Sequence, residues 1–139
     1  MNIVAIIPAR MGSSRYPGKP LADILGMPML GHVALRTAMS SRLSATYIAT
    51  CDQEIMDFAK SIGIPAIMTA DTHNRCTDRT AEAVLKIERE SGKKVDIVVM
   101  VQGDEPMTTP EMIDAAVEPM LDDSSVNVVN LMADIPSLQ

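Results

Sequence analysis

The sequence predicts an α/β protein with a mostly parallel sheet and helices on both of its faces. Short apolar runs rich in β-branched residues alternate along the chain with longer segments whose apolar residues recur at helical spacing. One run, Val95–Val101, is almost entirely apolar, which suits a central strand buried on both faces of a sheet. Such alternation is typical of units in which helical crossovers join parallel strands.

The first part of the chain predicts two strands separated by a loop and a helix. Ile3–Ile7 is a short apolar run that a proline ends, so it is predicted to be a buried strand. Residues 9–20 are rich in Gly, Ser and Pro, and they are predicted to form a loop. A helix is expected to have Pro28 in its first turn and to run to about Ser41. Thr46–Thr50 is the second predicted strand.

The middle of the chain predicts a helix, a short strand and a second helix. Asp52 is expected to cap the first of these helices, and Gly63 is expected to end it. Ile64–Met68 is the third predicted strand. A polar loop, TADTHNRC, follows this strand, and the next helix is predicted to be capped by Thr77 and to end near Gly92.

The last part of the chain predicts the fourth and fifth strands with a helix between them. Val95–Val101 is the fourth strand, Thr109-Pro110-Glu111 opens the helix, and Val126–Met132 is the fifth strand. In parallel α/β sheets, ligands bind at the carboxyl ends of the strands. The segments that follow the first four strands carry the charged and polar residues: Arg10–Lys19, Cys51-Asp52, His73–Arg79 and Gln102–Glu105.

The composition excludes several classes of protein. The net charge of -6 and the 2% of aromatic residues argue against nucleic-acid binding. No apolar run approaches the roughly 20 residues that a membrane span needs, and no basic region precedes the first apolar stretch as in a signal peptide. The 2 cysteines are too few for a disulfide scaffold. We therefore expect a cytoplasmic protein.

The first loop, PARMGSSRYPGKP, combines flexible backbone, two serine hydroxyls and three cations, and this mixture suits a triphosphate. Gly12 and Gly18 allow backbone N–H groups to converge on an anion. A P-loop is excluded, because five residues rather than four separate these glycines and Pro20 replaces the hydroxyl residue that would hold magnesium. From the residues alone, an ordinary exposed loop with solvated charges remains an alternative.

The acidic loop Gln102-Gly103-Asp104-Glu105-Pro106 directly follows the fourth predicted strand. Mg²⁺ prefers hard oxygen ligands and commonly uses one or two carboxylates together with phosphate oxygens. A carboxylate at this strand end, close to a triphosphate loop, therefore predicts a magnesium site. A solvated acidic turn remains the alternative reading of this loop alone.

Four segments occur together in one order over nearly the whole chain: Ile6–Leu21 (IIPARMGSSRYPGKPL), Ile48–Asp52 (IATCD), Met68-Thr69 with His73 and Thr77–Glu82 (TDRTAE), and Val101–Met107 (VQGDEPM). By these segments the chain resembles the N-terminal portion of the CMP-Kdo synthetases, which are the 3-deoxy-manno-octulosonate (Kdo) cytidylyltransferases. The related acylneuraminate cytidylyltransferases share a similar opening motif. The GKPL ending and the VQGDEP loop favour the Kdo branch.

The resemblance implies a nucleotide-diphospho-sugar transferase fold, of which residues 1–139 would be the nucleotide-binding part of a single domain, truncated at its C-terminal side. It also implies the Mg²⁺-dependent reaction of CTP with Kdo, which gives CMP-Kdo and pyrophosphate for lipopolysaccharide synthesis. Full-length members of the family are expected to be homodimers. The resemblance implies neither a nucleic-acid partner nor a membrane.

The same resemblance implies the residues of the site. Arg10, Lys19 and Asp104 are expected to be catalytic, and Asp104 is expected to ligate Mg²⁺. His73 and Gln102 are expected to contact the sugar. The implied nucleotide-binding residues are Pro8, Ala9, Arg10, Gly12, Ser13, Arg15, Lys19, Arg79 and Gln102.

One departure from the family pattern leaves the substrate open. Arg75-Cys76 stands where the family usually has Ser-Gly, and the added side chains would narrow the pocket. A cytidylyltransferase for another acidic sugar is therefore an alternative. A nucleotide-binding but catalytically silent fragment is another, because the chain is shorter than the family pattern.

Overall fold

A computed structural model describes residues 2–11, 23–24, 26–70, 76–101, 109–122 and 128–131. Strands and helices alternate along these residues, as the sequence predicts. The strands are β1 (Ile3–Pro8), β2 (Asp23–Ile24), β3 (Met27–Pro28), β4 (Ala45–Thr50), β5 (Ala66–Met68), β6 (Ile97–Val101) and β7 (Val128–Leu131). The helices are α1 (Met29–Ala38), α2 (Gln53–Ser61), α3 (Cys76–Ser91) and α4 (Pro110–Asp122).

Five of the strands form one sheet in the order β5-β4-β1-β6-β7, and every neighbouring pair is parallel. The central strand β1 pairs with β4 on one side and with β6 on the other. The chain first moves outward from β1 to β5, and α3 then carries it back across the sheet to β6. The strand order thus reverses between β1 and β6, which is where doubly wound sheets bind their ligands.

Alternate residues of β1 face the two layers of helices. Ile3, Ala5 and Ile7 belong to a core cluster that also holds buried residues of α1, α2 and α4. Val4 and Ile6 belong to a second cluster, on the opposite face, with buried residues of α3. Because successive side chains of a strand point to opposite faces, a strand covered on both sides must be apolar throughout. The predicted parallel sheet with helices on both faces is confirmed.

The structure differs from the sequence predictions mainly at the ends of elements. The first helix ends at Ala38 rather than at about Ser41, and the third strand begins at Ala66 rather than Ile64. A short antiparallel hairpin formed by β2 and β3 was not predicted, because strands of 2 residues are too short to show a periodic pattern. Gly26, in its turn, has a φ of 86°, which favours glycine.

The C-terminus of α2 confirms the prediction for Gly63. Its N–H donates to the carbonyl of Lys60 at 3.2 Å, and the N–H of Ile64 donates to the carbonyl of Ala59 at 3.0 Å. These two bonds form a Schellman motif, in which the first residue after the C-cap adopts the left-handed backbone conformation. Gly63 supplies it with a φ of 76°.

We expect the substitution Gly63→Ala to lower the free energy of unfolding by about 1 kcal/mol. A Cβ at this position would meet no atom within 4 Å, so the loss should come from the backbone conformation and not from crowding. Gly63→Asn is the matched control, because asparagine tolerates the left-handed region and should lose less. Urea denaturation measures both values, and equal losses would contradict this explanation.

The topology gathers the carboxyl ends of β1, β4, β5 and β6 at one edge of the sheet, here called the carboxyl edge. The N-termini of the helices that follow β4 and β5 lie there as well, since each helix begins shortly after its strand. Among the helices in the described ranges, none is long and apolar enough to cross a bilayer.

Candidate functional site

The segment that carries Arg10 leaves β1 at the carboxyl edge and is fixed on both sides of that residue. The N–H of Ala9 donates to the carbonyl of Ala49 at 2.9 Å, which continues the pairing of β1 with β4. The N–H of Met11 donates to the carboxylate Oδ2 of Asp52 at 2.7 Å. The main chain of Arg10 is therefore held between two hydrogen bonds to the end of β4 and the residues after it.

The predicted role of Asp52 as a side-chain cap of α2 is wrong. Asp52 does occupy the N-cap position, with φ of -108° and ψ of 126°, but its side chain makes no capping hydrogen bond. Its carboxylate accepts the Met11 N–H instead. The sequence signal for a cap is local, whereas this donor lies 41 positions away along the chain and becomes a neighbour only when the sheet forms.

Arg79 lies in the first turn of α3, and its side chain is buried beside the ends of β4 and β5. Only 3% of the residue is exposed. Its Nε donates to Thr69 Oγ1 at 2.9 Å, and its Nη2 lies 3.4 Å from the carbonyl oxygen of Ala70 and 3.7 Å from Cys51 Sγ. These acceptors are all neutral groups, so the contacts seen in the structure do not neutralise the positive charge that Arg79 brings to the edge.

Two further residues of α3 hold the chain where it leaves β5. Ala70 donates its N–H to Glu82 Oε1 at 3.0 Å, and the Lys86 ammonium donates to the carbonyl of Met68 at 2.5 Å. Glu82 and Lys86 also form an ion pair at 3.1 Å, one helical turn apart. Together with Arg79, these side chains fix the first residues after β5.

Cys51 lies between the charged groups of Asp52 and Arg79. Its Sγ is 3.8 Å from Asp52 Oδ2 and 3.7 Å from Arg79 Nη2. Burial and the neighbouring Asp52 carboxylate raise the pKa of the Cys51 thiol, and the Arg79 guanidinium opposes this shift only in part. The thiol therefore stays protonated near neutral pH, as in a packed rather than a reactive cysteine.

We expect the Cys51 thiol to react slowly with a disulfide reagent at pH 7. The reaction rate should rise with pH, and the midpoint of this rise should lie above the ordinary cysteine pKa of about 8.5. A raised pKa in the folded state means that this thiol favours folding below its unfolded pKa, and that the contribution is lost as pH rises through the folded pKa. Reaction rates measured from about pH 6 to 10 in a Cys76→Ser background isolate this thiol. A midpoint below that of a model peptide thiol would contradict the assignment.

The structure describes four of the residues that the sequence singled out for the site. Pro8 and Ala9 are buried at the end of β1, Arg10 is half-buried, and Arg79 is buried. Arg10 and Arg79 are brought to the same end of β4, through Asp52 and Cys51 respectively. The predicted residues outside the described ranges are Gly12, Ser13, Arg15, Lys19, His73, Gln102 and Asp104.

Two features of this edge were missed in the sequence. One is the contact of Asp52 with the Met11 N–H. The other is Thr80 Oγ1, which is buried and has no hydrogen-bond partner among the described residues. The described residues include no group of three or more His, Cys, Asp or Glu side chains that could hold a metal ion.

Comparison with known proteins gives one consistent result. A family model described as "Cytidylyltransferase" matches residues 4–137. The 3-deoxy-manno-octulosonate cytidylyltransferase of Geobacter metallireducens is 44% identical over 138 residues, which are 99% of this chain and 52% of that protein. The chain thus spans about half the length of the curated relatives it matches.

Solved structures agree with this match. A structure of CMP:2-keto-3-deoxy-manno-octonic acid synthetase complexed with CTP superimposes with a TM-score of 0.80 and 36% identity, over 91% of this chain and 50% of that one. A cytidylyltransferase from Leptospira borgpetersenii gives a TM-score of 0.73 and 25% identity, over 88% of this chain and 50% of that one. The fold implied by the sequence is therefore confirmed.

Proposed function

Because the chain belongs to the cytidylyltransferase family, we propose that it binds CTP at its carboxyl edge and transfers the cytidylyl group to Kdo, releasing pyrophosphate. The observation that carries this proposal is its 44% identity, over 99% of its length, to a 3-deoxy-manno-octulosonate cytidylyltransferase. The CMP-Kdo product would serve lipopolysaccharide synthesis. A cytoplasmic location and a homodimer belong to the same proposal.

Arg10 is proposed to bind the triphosphate together with Lys19. The hydrogen bonds on either side of Arg10 fix where its side chain starts. Within the described ranges, the structure shows no hydrogen-bond or ion-pair partner for its guanidinium, which leaves this group available to an anion. Guanidinium groups bind phosphate oxygens in a bidentate manner, whereas an ammonium acts as a point charge.

The other nucleotide contacts follow from the order of the segments. We propose that the backbone at Pro8 and Ala9 reads the cytosine, and that Gly12, Ser13 and Arg15 surround the phosphates. His73 and Gln102, which follow β5 and β6 in the sequence, would contact the sugar. Arg79 adds a positive charge at the same edge, which favours anionic ligands there.

Mg²⁺ is proposed as the metal ion, with Asp104 as its protein ligand. Asp104 follows the end of β6 by three positions, and β6 neighbours β1 in the sheet. A carboxylate is a hard oxygen ligand, so the chemistry of this donor fits magnesium, which takes its other ligands from phosphate and water. When bound, the ion would neutralise phosphate charge and polarise the phosphoryl oxygen.

The proposed reaction is a single displacement at phosphorus. The anomeric hydroxyl of Kdo attacks the α-phosphorus of CTP, the bond to the β-phosphate oxygen breaks, and the hydroxyl proton is lost to solvent. Pyrophosphate leaves with the electron pair of the broken bond. The chain's own part is to position the reactants and to neutralise charge with Arg10 and Lys19, which needs no nucleophilic side chain.

Pyrophosphate release measured with CTP, Kdo and MgCl₂ tests this function. We expect Kdo to support turnover and N-acetylneuraminate to give none, with turnover lost in Asp104→Asn. Product from another sugar acid but not from Kdo would replace the proposed substrate. No product from any sugar acid would contradict the proposed transfer by this chain.

A further inference from the structure

We propose that Asp52 is a positioning residue for the nucleotide site: its carboxylate fixes the backbone from which Arg10 reaches the triphosphate. This inference rests on the proposed function, since it assigns a role within the same site. In sequence, Asp52 stands directly before α2. Its carboxylate is inferred to act on the backbone that follows β1 and not on the start of that helix.

The hydrogen bond from Met11 to Asp52 is of a strong kind. Its length of 2.7 Å and its ionised acceptor make it a charge-assisted hydrogen bond, and it is partly buried. Such bonds are about twice as strong as those between neutral groups. The N–H of Ala9, two positions earlier, is held by β4. The backbone of Arg10 therefore has a fixed position on both sides.

Asp52 is itself held firmly enough to serve as an anchor. Its N–H donates to Thr50 Oγ1 at 3.1 Å, and Thr50 is completely buried. Its carbonyl accepts the N–H of Met56 at 3.1 Å, the first hydrogen bond of α2. The carboxylate thus projects from a junction that the sheet and the helix both hold in place.

The choice of partner distinguishes positioning from capping. An aspartate at an N-cap usually accepts an N–H from the first turn of its own helix, and Asp52 does not. The Asp52 carboxylate accepts the N–H of Met11 instead. Because the backbone on both sides of Arg10 is already ordered, less conformational entropy is lost when Arg10 binds a ligand, so the contact should favour nucleotide binding.

Three variants separate positioning from helix stability. Asp52→Ser keeps a good N-cap residue, but its shorter side chain cannot span the distance to the Met11 N–H. Asp52→Asn keeps a carbonyl oxygen that can accept this N–H. Glu54→Gln is the matched control, because it removes a negative charge from the exposed first turn of the same helix.

Amide hydrogen exchange at Met11 and calorimetric titration with CTP measure the two parts of the proposal. We expect Asp52→Ser to speed exchange at Met11 and to weaken CTP binding about tenfold, because CTP binding must then order the backbone that this charge-assisted hydrogen bond holds in the parent. Asp52→Asn should retain most of the affinity, within about threefold of the parent. Glu54→Gln should change neither quantity, and all three should keep the parent's cooperative thermal unfolding.

The outcomes distinguish this inference from the function on which it rests. Faster exchange in Asp52→Ser with unchanged CTP affinity would overturn the inference, as would equal losses in Asp52→Ser and Glu54→Gln. If affinity also stays unchanged in Arg10→Ala, the proposed nucleotide site itself fails. If Arg10→Ala weakens binding while Asp52→Ser does not, the site stands and only the role of Asp52 is lost.

Discussion

Replacing Arg79 with alanine is expected to lower the free energy of unfolding by about 3 kcal/mol. Arg79 is only 3% exposed, and its guanidinium donates to Thr69 Oγ1 and to the carbonyl of Ala70. The variant would leave a cavity and would remove the donor from both acceptors. The Thr69 hydroxyl is buried, so the loss of its donor costs free energy, and the cavity adds to this cost.

Two further variants check that the loss comes from these contacts. Arg89→Ala removes a cation from the exposed end of the same helix, and it should cost only a few tenths of a kcal/mol. Arg79→Lys should recover only part of the stability, because a single ammonium cannot reach both Thr69 and Ala70 as the two nitrogens of the guanidinium do. Urea denaturation measures all three, and a loss below about 0.5 kcal/mol in Arg79→Ala would contradict the account.

The substitution Arg10→Ala is expected to weaken CTP binding about 100-fold, which corresponds to about 2.7 kcal/mol. The lost group would make charge-assisted contacts to phosphate, and the described residues offer it no alternative partner. Since no contact of this kind to the described residues would be lost, the free energy of unfolding should change little. Calorimetric titration gives the affinity, and urea denaturation gives the stability.

Arg42→Ala is the matched control for Arg10→Ala. Arg42 lies before β4, at the opposite edge of the sheet, where it pairs with Glu118 at 3.0 Å. Its side chain is 46% exposed, so the pair is screened by solvent and should contribute little to stability. Both variants remove one positive charge. Equal effects on CTP binding would show that net charge, and not the position of Arg10, governs affinity.

The order of elements could be predicted from the sequence because the runs that form its central strands, β1 and β6, are apolar throughout. Ile3–Ile7 forms most of β1, and the run predicted as Val95–Val101 forms its neighbour β6 from Ile97 onward; both strands are covered on both faces, as runs of that composition require. Gly63 could be predicted as the end of a helix because its role depends on backbone conformation, which is a local property.

The interior of the site could not be predicted in the same way. The sequence shows Asp52 directly before a helix, and it does not show that the Met11 N–H comes within 2.7 Å once β1 and β4 pair. It shows a guanidinium at Arg79 but not its burial, since arginine is normally exposed. Contacts between residues distant in sequence depend on the sheet order, which local patterns do not specify.

A calorimetric titration of this chain with CTP, and with ATP as the control nucleotide, tests most directly whether the carboxyl edge is a cytidine nucleotide site. Each titration is made with and without Mg²⁺. We expect CTP to bind more tightly than ATP and to need Mg²⁺ for its full affinity. Equal affinity for the two nucleotides, or no binding of either, would contradict the account.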